Sequence, residues 1–148
     1  MATSQAWLLD LGASMVAAIG VRELVQIVDA PLTFAVPLTP ACSRHVMFWQ
    51  KRMLPVLDLS IRLNAQASAG KLLAIIAYQN SKEGGVGLGA IRLASPPVRI
   101  TVDDDQACPL EQDMACWFAL ANSSFQQNGA VIPVLHLSRL FGTRNDAS

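Results

Sequence analysis

Charged residues are scarce in this sequence. They make up 15% of the chain, with eleven Lys and Arg against eleven Asp and Glu, so the formal net charge is zero. An average soluble domain has about 25% charged residues. Without an excess of positive charge there is no field to hold a phosphate backbone or an anionic membrane surface. The composition therefore argues against nucleic acid as a partner, and the 52% apolar content favours a self-associating or partner-binding surface.

Cysteines are also few, and no hydrophobic run is long enough to cross a bilayer. The cysteines are odd in number and contain no Cys-x-x-Cys pair, so they predict neither a disulfide framework nor a zinc site; they are Cys42, Cys108 and Cys116. The most apolar run, 7–21, is interrupted by Asp10 and is shorter than the ~20 residues of a membrane span. No Lys or Arg precedes it, as one would in a secretory signal. We expect no membrane insertion and a cytoplasmic location.

No motif for catalysis, cofactor binding or metal binding stands out. The glycine cluster GGVGLG at 84–89 has the spacing G-x-G-x-G and leads into a strand pattern, which predicts a hairpin loop and not a dinucleotide-binding turn. His45 and His136 are far apart in sequence, and neither lies near a cysteine, which gives no support for a metal site. We therefore expect a non-enzyme with no catalytic residue, cofactor or metal.

What the sequence does contain is a series of short strand patterns separated by Gly and Pro. The segments 7–12 and 14–20 predict a first hairpin, and 21–28 predicts a strand or a single helical turn. The continuous apolar run 71–79 predicts a strand buried on both faces. Asn128-Gly129 predicts the turn of a final hairpin. With no long helical pattern, the fold class is all-β, a barrel or a sandwich.

One phrase occurs twice: PVLDLS at 55–60 returns as PVLHLS at 133–138. Each copy closes a half that begins with a strand pair, so the halves predict two small barrels, each ending in the same strand-to-turn element with its leucines toward the core. Two copies are too few for a solenoid, which needs at least about three repeats. We predict a single domain over 1–148, with subdomains at 7–66 and 70–141 and a flexible tail at 142–148.

The segments VPLTP and RHVMFWQKRMLPVLDLSIRL resemble the CheW-like family of chemotaxis coupling domains, whose members read VP…P, then a stretch like GVINLRG, then a strand ending PVIDL. LVQIV at 24–28 stands where the family often has V-x-E-I, and VIPVLHLSRLF at 131–141 resembles its closing strand. The resemblance extends from residue 7 to residue 141. It implies two SH3-like five-stranded β-barrel subdomains packed side by side.

The function that this resemblance implies is a non-catalytic adaptor in a bacterial chemosensory complex that controls chemotaxis or surface motility. Its partners would be the regulatory domain of a chemotaxis-type histidine kinase and the tip of a chemoreceptor. The positions that correspond to the family's contact segments are Leu24, Gln26, Ile27, His45, Phe48, Trp49, Gln50 and Lys51. Gln50 stands at the family's Arg, and a neutral amide cannot replace a charged fork donor, so the resemblance predicts altered receptor contact.

Two alternatives remain open. On an alternating strand one of Phe48 and Trp49 points away from the barrel core, and it either meets a partner or fills the groove between the two barrels. The alternative function is a small-molecule-binding barrel with its ligand between the two halves, for which His45, Lys51 and Asp58 are the nearby polar candidates.

Overall fold

The fold is described by a computed structural model, which covers residues 3–12, 14–29, 32–37, 45–64, 70–80, 85–110, 117 and 120–142. Most of these residues lie in strands. In chain order the elements are β1 (Thr3–Gly12), β2 (Met15–Gly20), β3 (Leu24–Asp29), β4 (Thr33–Ala35), β5 (His45–Trp49), β6 (Arg52–Leu57), α1 (Leu59–Asn64), β7 (Leu72–Asn80), β8 (Gly85–Leu93), β9 (Ser95–Asp103), β10 (Ala121–Gln127), β11 (Ala130–Leu135) and α2 (Leu137–Gly142).

The strands form two sheets, which confirms the all-β class. One sheet has five strands in the order β10-β11-β2-β1-β9, and the other has six in the order β3-β7-β8-β6-β5-β4. The second sheet exceeds the predicted five strands because the short β4 adds to the edge of β5. The hairpins predicted at β1–β2 and β10–β11 are confirmed, and the ambiguous segment 21–28 is a turn followed by the strand β3.

The sheets do not follow the predicted sequence halves 7–66 and 70–141. The first copy of the repeated phrase, in β6, lies parallel to β8 of the second half. The second copy, in β11, lies parallel to β2 of the first half. The opening hairpins β1–β2 and β7–β8 have therefore changed places, and each lies in the same sheet as the later strands of the other half. The physical reason is that β2 and β8 each have one edge left free by their own hairpin, and each phrase fills the free edge of the other half.

The repeated phrase itself is a strand followed by a short helix, where we predicted a strand and a turn. The helices α1 and α2 have six residues each, too few to produce a helical period in the sequence. Leu59 and Leu137 begin these helices and are almost fully buried, which confirms that the leucines face the core. No helix in the described part of the chain is long and apolar enough to cross a bilayer.

Alternation along the strands divides the core into three layers. Ala74 and Ile76 of β7 face a central cluster between the two sheets, which also receives Leu9 of β1 and Phe141 of α2. The intervening residue Ile75 faces a separate cluster inside the six-stranded sheet. A third, smaller cluster lies inside the five-stranded sheet. The prediction that β7 is buried on both faces is therefore confirmed.

The glycine cluster at 84–89 is mostly strand and not the predicted loop, since β8 begins at Gly85. The glycines permit close packing. A Cβ at Gly87 would lie 2.3 Å from the Tyr78 ring, and one at Gly89 would lie 2.4 Å from the Phe141 ring. These two rings stack with their centroids 5.5 Å apart, so β8 passes directly beneath an aromatic pair.

Candidate docking face

The outer side of β4, β5 and β6 carries large apolar side chains that the fold does not cover. In the β5–β6 hairpin, Met47 lies opposite Leu54 and both are buried, whereas the next pair, Phe48 and Met53, faces outward. Phe48 is 60% exposed and Met53 is 59% exposed. Because side chains alternate along a strand, Phe48 and Met53 point to the side of the hairpin opposite Met47 and Leu54, and no described residue buries them there.

Phe34 of β4 extends this surface. Its ring meets the ring of Phe48 edge to face, with 5.9 Å between centroids and 71° between planes, a geometry favoured by aromatic quadrupoles. Phe34 is nevertheless 44% exposed. We call Phe34, Phe48 and Met53 the apolar face. Its exposed area is on the order of 400 Å², the size at which a patch on a monomer often marks an interaction site.

A tight turn ends the face at the tip of the β5–β6 hairpin. Gln50 and Lys51 both have positive φ, 49° and 65°, as a two-residue type I′ turn requires. Such a turn favours Asn-Gly. Gln50 and Lys51 both carry a Cβ, so the left-handed conformation costs them conformational energy. Gln50, Lys51 and the next residue, Arg52, are exposed.

Trp49 is the aromatic residue that faces inward. It packs against the cluster inside the six-stranded sheet, which includes Met47 and Leu54, and its Nε1–H donates a hydrogen bond to Oε1 of Gln26 at 3.1 Å. This bond joins β5 to β3, which are not neighbours in the sheet order. The hydrogen bond between Trp49 and Gln26 therefore connects two strands across the open side of this sheet. The outward residue is Phe48, and its 60% exposure shows that it does not fill a groove between the barrels.

The remaining predicted contact residues lie away from the apolar face. Leu24 and Ile27 of β3 pack against the central core. His45 is half-buried at the start of β5, opposite Val56, and thus at the far end of the strand from Lys51. Of the eight predicted residues, the structure brings Phe48, Gln50 and Lys51 to the face and its end. Phe34 and Met53 were missed, because neither TFA in β4 nor RMLPVL in β6 alternates polar with apolar residues in a way that would indicate the outward side.

The polar residues suggested for a small-molecule site do not converge. Asp58 is buried after β6, where its Oδ1 accepts a hydrogen bond from the Ser60 N–H at 3.1 Å. His45 and Lys51 are separated by the length of β5, roughly 15–20 Å of extended chain. A cavity of about 560 Å³ is present, but it lies against the five-stranded sheet, lined by 107–110, Ala121, Ser123 and Ser124, and not between the halves. Among the described residues no group of three metal-ligating side chains comes together.

Neither a family model nor a curated protein matches this sequence. A match does occur among solved structures. The crystal structure of the scaffolding protein CheW from Thermoanaerobacter tengcongensis superimposes with a TM-score of 0.77, covering 95% of this chain and 89% of that one at 15% sequence identity. The chain has the CheW fold. The two-sheet architecture implied by the sequence resemblance is thereby confirmed, and the similar protein is named as a scaffold.

Proposed function

We propose that this chain is a divergent CheW-like scaffold that works without catalysis in the cytoplasm, within a bacterial chemosensory complex. The observation that carries the proposal is the combination of the CheW fold over 95% of the chain with an uncovered apolar face on β4, β5 and β6. A scaffold needs a surface that binds partners and does not need a reactive site. The apolar face is such a surface.

The partner we assign to the apolar face is the regulatory domain of a chemotaxis-type histidine kinase. Phe48 lies at the middle of the face, between Phe34 and Met53, where buried aromatics tend to dominate binding energy. A chemoreceptor tip is a weaker candidate for this site. At the positions that the family resemblance connects with receptor contact, the Gln26 amide oxygen is already bonded to Trp49, and Gln50 carries no charge.

The test is calorimetric titration of this protein with the purified regulatory domain of the chemotaxis-type histidine kinase from the same organism. We expect micromolar or tighter binding with a negative heat-capacity change, the signature of buried apolar surface. Phe48→Ala should weaken binding by about 2 kcal/mol, because truncation removes an aromatic anchor. The loss should appear in affinity and not in folding, since Phe48 is 60% exposed in the free protein.

The matched control is Val98→Ala, which truncates a side chain of β9 that is 58% exposed on the other sheet. Its affinity should equal that of the wild type. Equal affinity of the wild type and Phe48→Ala would remove the kinase from the apolar face. Absence of binding by the wild type would contradict the proposed function itself, and a ligand screen directed at the 560 Å³ cavity would follow.

A further inference from the structure

The sequence that forms the apolar face contains charges of one sign only. Over the whole chain cations and acids balance, eleven against eleven, but no Asp or Glu occurs between Asp29 and Asp58. The same stretch contains Arg44, Lys51 and Arg52, and it includes β4, β5 and β6. The face therefore lies in the part of a neutral chain from which acidic side chains are missing.

The structure places two of these cations at the hairpin tip that ends the face. Lys51 occupies the turn beside Phe48, and Arg52 follows it at the same tip, opposite Trp49, so its side chain leaves the strand on the side away from Met53. Both Lys51 and Arg52 are exposed, and within the described residues neither is held in an ion pair or a hydrogen bond. Two long cationic side chains without a partner in the described part of the chain are thus available to whatever covers the face.

We infer that the surface docking on the apolar face is apolar at its centre and carries Asp or Glu at the rim that meets Lys51 and Arg52. The inference rests on the proposed function and specifies the chemistry of the partner. Opposite charges at an interface rim speed association and select the partner, although they add little to affinity at high salt. A second copy fits less well, because the same patch of another molecule, with no Asp or Glu from 30 to 57, offers no carboxylate to these cations.

The test measures association and dissociation rates between this protein and the kinase regulatory domain at about 50 mM and about 500 mM salt, where screening is weak and strong. Lys51→Glu combined with Arg52→Glu should reduce the affinity at low salt about tenfold, mainly through slower association, and should remove most of the salt dependence. Lys51→Arg should retain wild-type rates because it keeps the charge. The control is Lys71→Glu, which reverses an exposed cation just before β7.

Each outcome has a distinct meaning. If the wild type binds and the double charge reversal behaves like Lys71→Glu, the acidic rim is wrong and the proposed function stands. If the wild type does not bind, the proposed function fails and this inference fails with it. Sedimentation velocity of the protein alone tests for self-association. If the protein forms a dimer that Phe48→Ala abolishes, a second copy of the chain covers the apolar face and the inference is wrong. Unchanged thermal unfolding midpoints establish that the variants fold.

Discussion

Glu23 lies at the point where the chain passes from the five-stranded sheet to the six-stranded one. Its Oε1 accepts a hydrogen bond of 2.7 Å from the Gly20 N–H, and its backbone oxygen accepts one from Ala77. Burial raises the pKa of this carboxyl above its ordinary 4.5, and the Gly20 N–H and the charge of His136 oppose that rise. The folded state thus holds the Glu23 proton more tightly than the unfolded state does.

This raised pKa sets a direction for stability against pH. The stability associated with the protonated Glu23 is fully present below the ordinary pKa and is lost as pH rises through the folded-state value. Glu23→Gln keeps the acceptor for Gly20 and cannot ionise. We expect this variant to be more stable than the wild type at about pH 7.5 and equal to it at about pH 3.5, measured by urea unfolding. A constant difference at both pH values would contradict this account.

At the level of single residues, the sequence indicated that β5 carries an outward-facing aromatic side chain, but it did not indicate which side chains face outward and which face the core. Alternation required one of Phe48 and Trp49 to face outward. Pairing with β6 decides which one, because it buries Met47 against Leu54 and so turns Phe48 to the opposite side. The hydrogen bond between Trp49 and Gln26 could not be predicted either. The two residues are 23 positions apart in the sequence, and their strands are not adjacent in the sheet.

Among the elements, α1 and α2 show how the two copies of the repeated phrase have diverged. Asp58 occupies the N-cap of α1, where its carboxylate accepts from the Ser60 N–H. The equivalent residue before α2 is His136, whose Nδ1 is buried without a hydrogen-bond partner among the described residues. The His136 backbone oxygen accepts from the N–H groups of Arg139 and Leu140, which are the ordinary first bonds of a helix, so α2 lacks the side-chain bond that Asp58 makes in α1.

The cap on α1 supports a prediction with a built-in control. Asp58→Ala should lower the free energy of unfolding by about 1 kcal/mol, the usual loss when an N-cap acceptor is removed. Asp58→Asn should retain most of the wild-type value, since Asn caps as well as Asp does. Chemical denaturation of the three proteins tests this. If Asn proves as costly as Ala, the negative charge and not the cap is what Asp58 contributes.

The duplication was readable from the sequence because the two phrases share residues in the same order. The exchange of the opening hairpins was not, because both β2 and β8 offer a free edge and nothing local tells a phrase which edge to take. The two short helices escaped detection for a different reason: a segment of six residues completes fewer than two helical turns, which leaves no period to recognise.

For the whole molecule, packing in the central core decides whether the two sheets unfold together or separately. Phe141 of α2 follows directly from β11 of the five-stranded sheet, yet its ring covers Gly89 and stacks on Tyr78 in the six-stranded sheet. Phe141 is 5% exposed. This helix therefore ties the sheets together, and we expect a single cooperative unfolding transition.

Gly89→Ala tests this packing. The added methyl group would lie 2.4 Å from the Phe141 ring, which is buried and stacked and has little room to move. Overpacking of this kind costs about 1–3 kcal/mol of unfolding free energy. Gly85→Ala, at the start of the same strand, is the control because nothing lies within 4 Å of its added Cβ. Urea denaturation should show a clear loss for Gly89→Ala and little change for Gly85→Ala.

The exchange of the opening hairpins also orders events during synthesis on the ribosome. All strands of the six-stranded sheet lie between residues 24 and 93, so this sheet is complete once that stretch has emerged. The hairpin of β1 and β2 emerges before that stretch, yet its neighbours β9 and β11 are translated after it. A nascent chain therefore carries an early hairpin with two open edges alongside a sheet that can already close, and this early hairpin is protected later than the sheet that follows it.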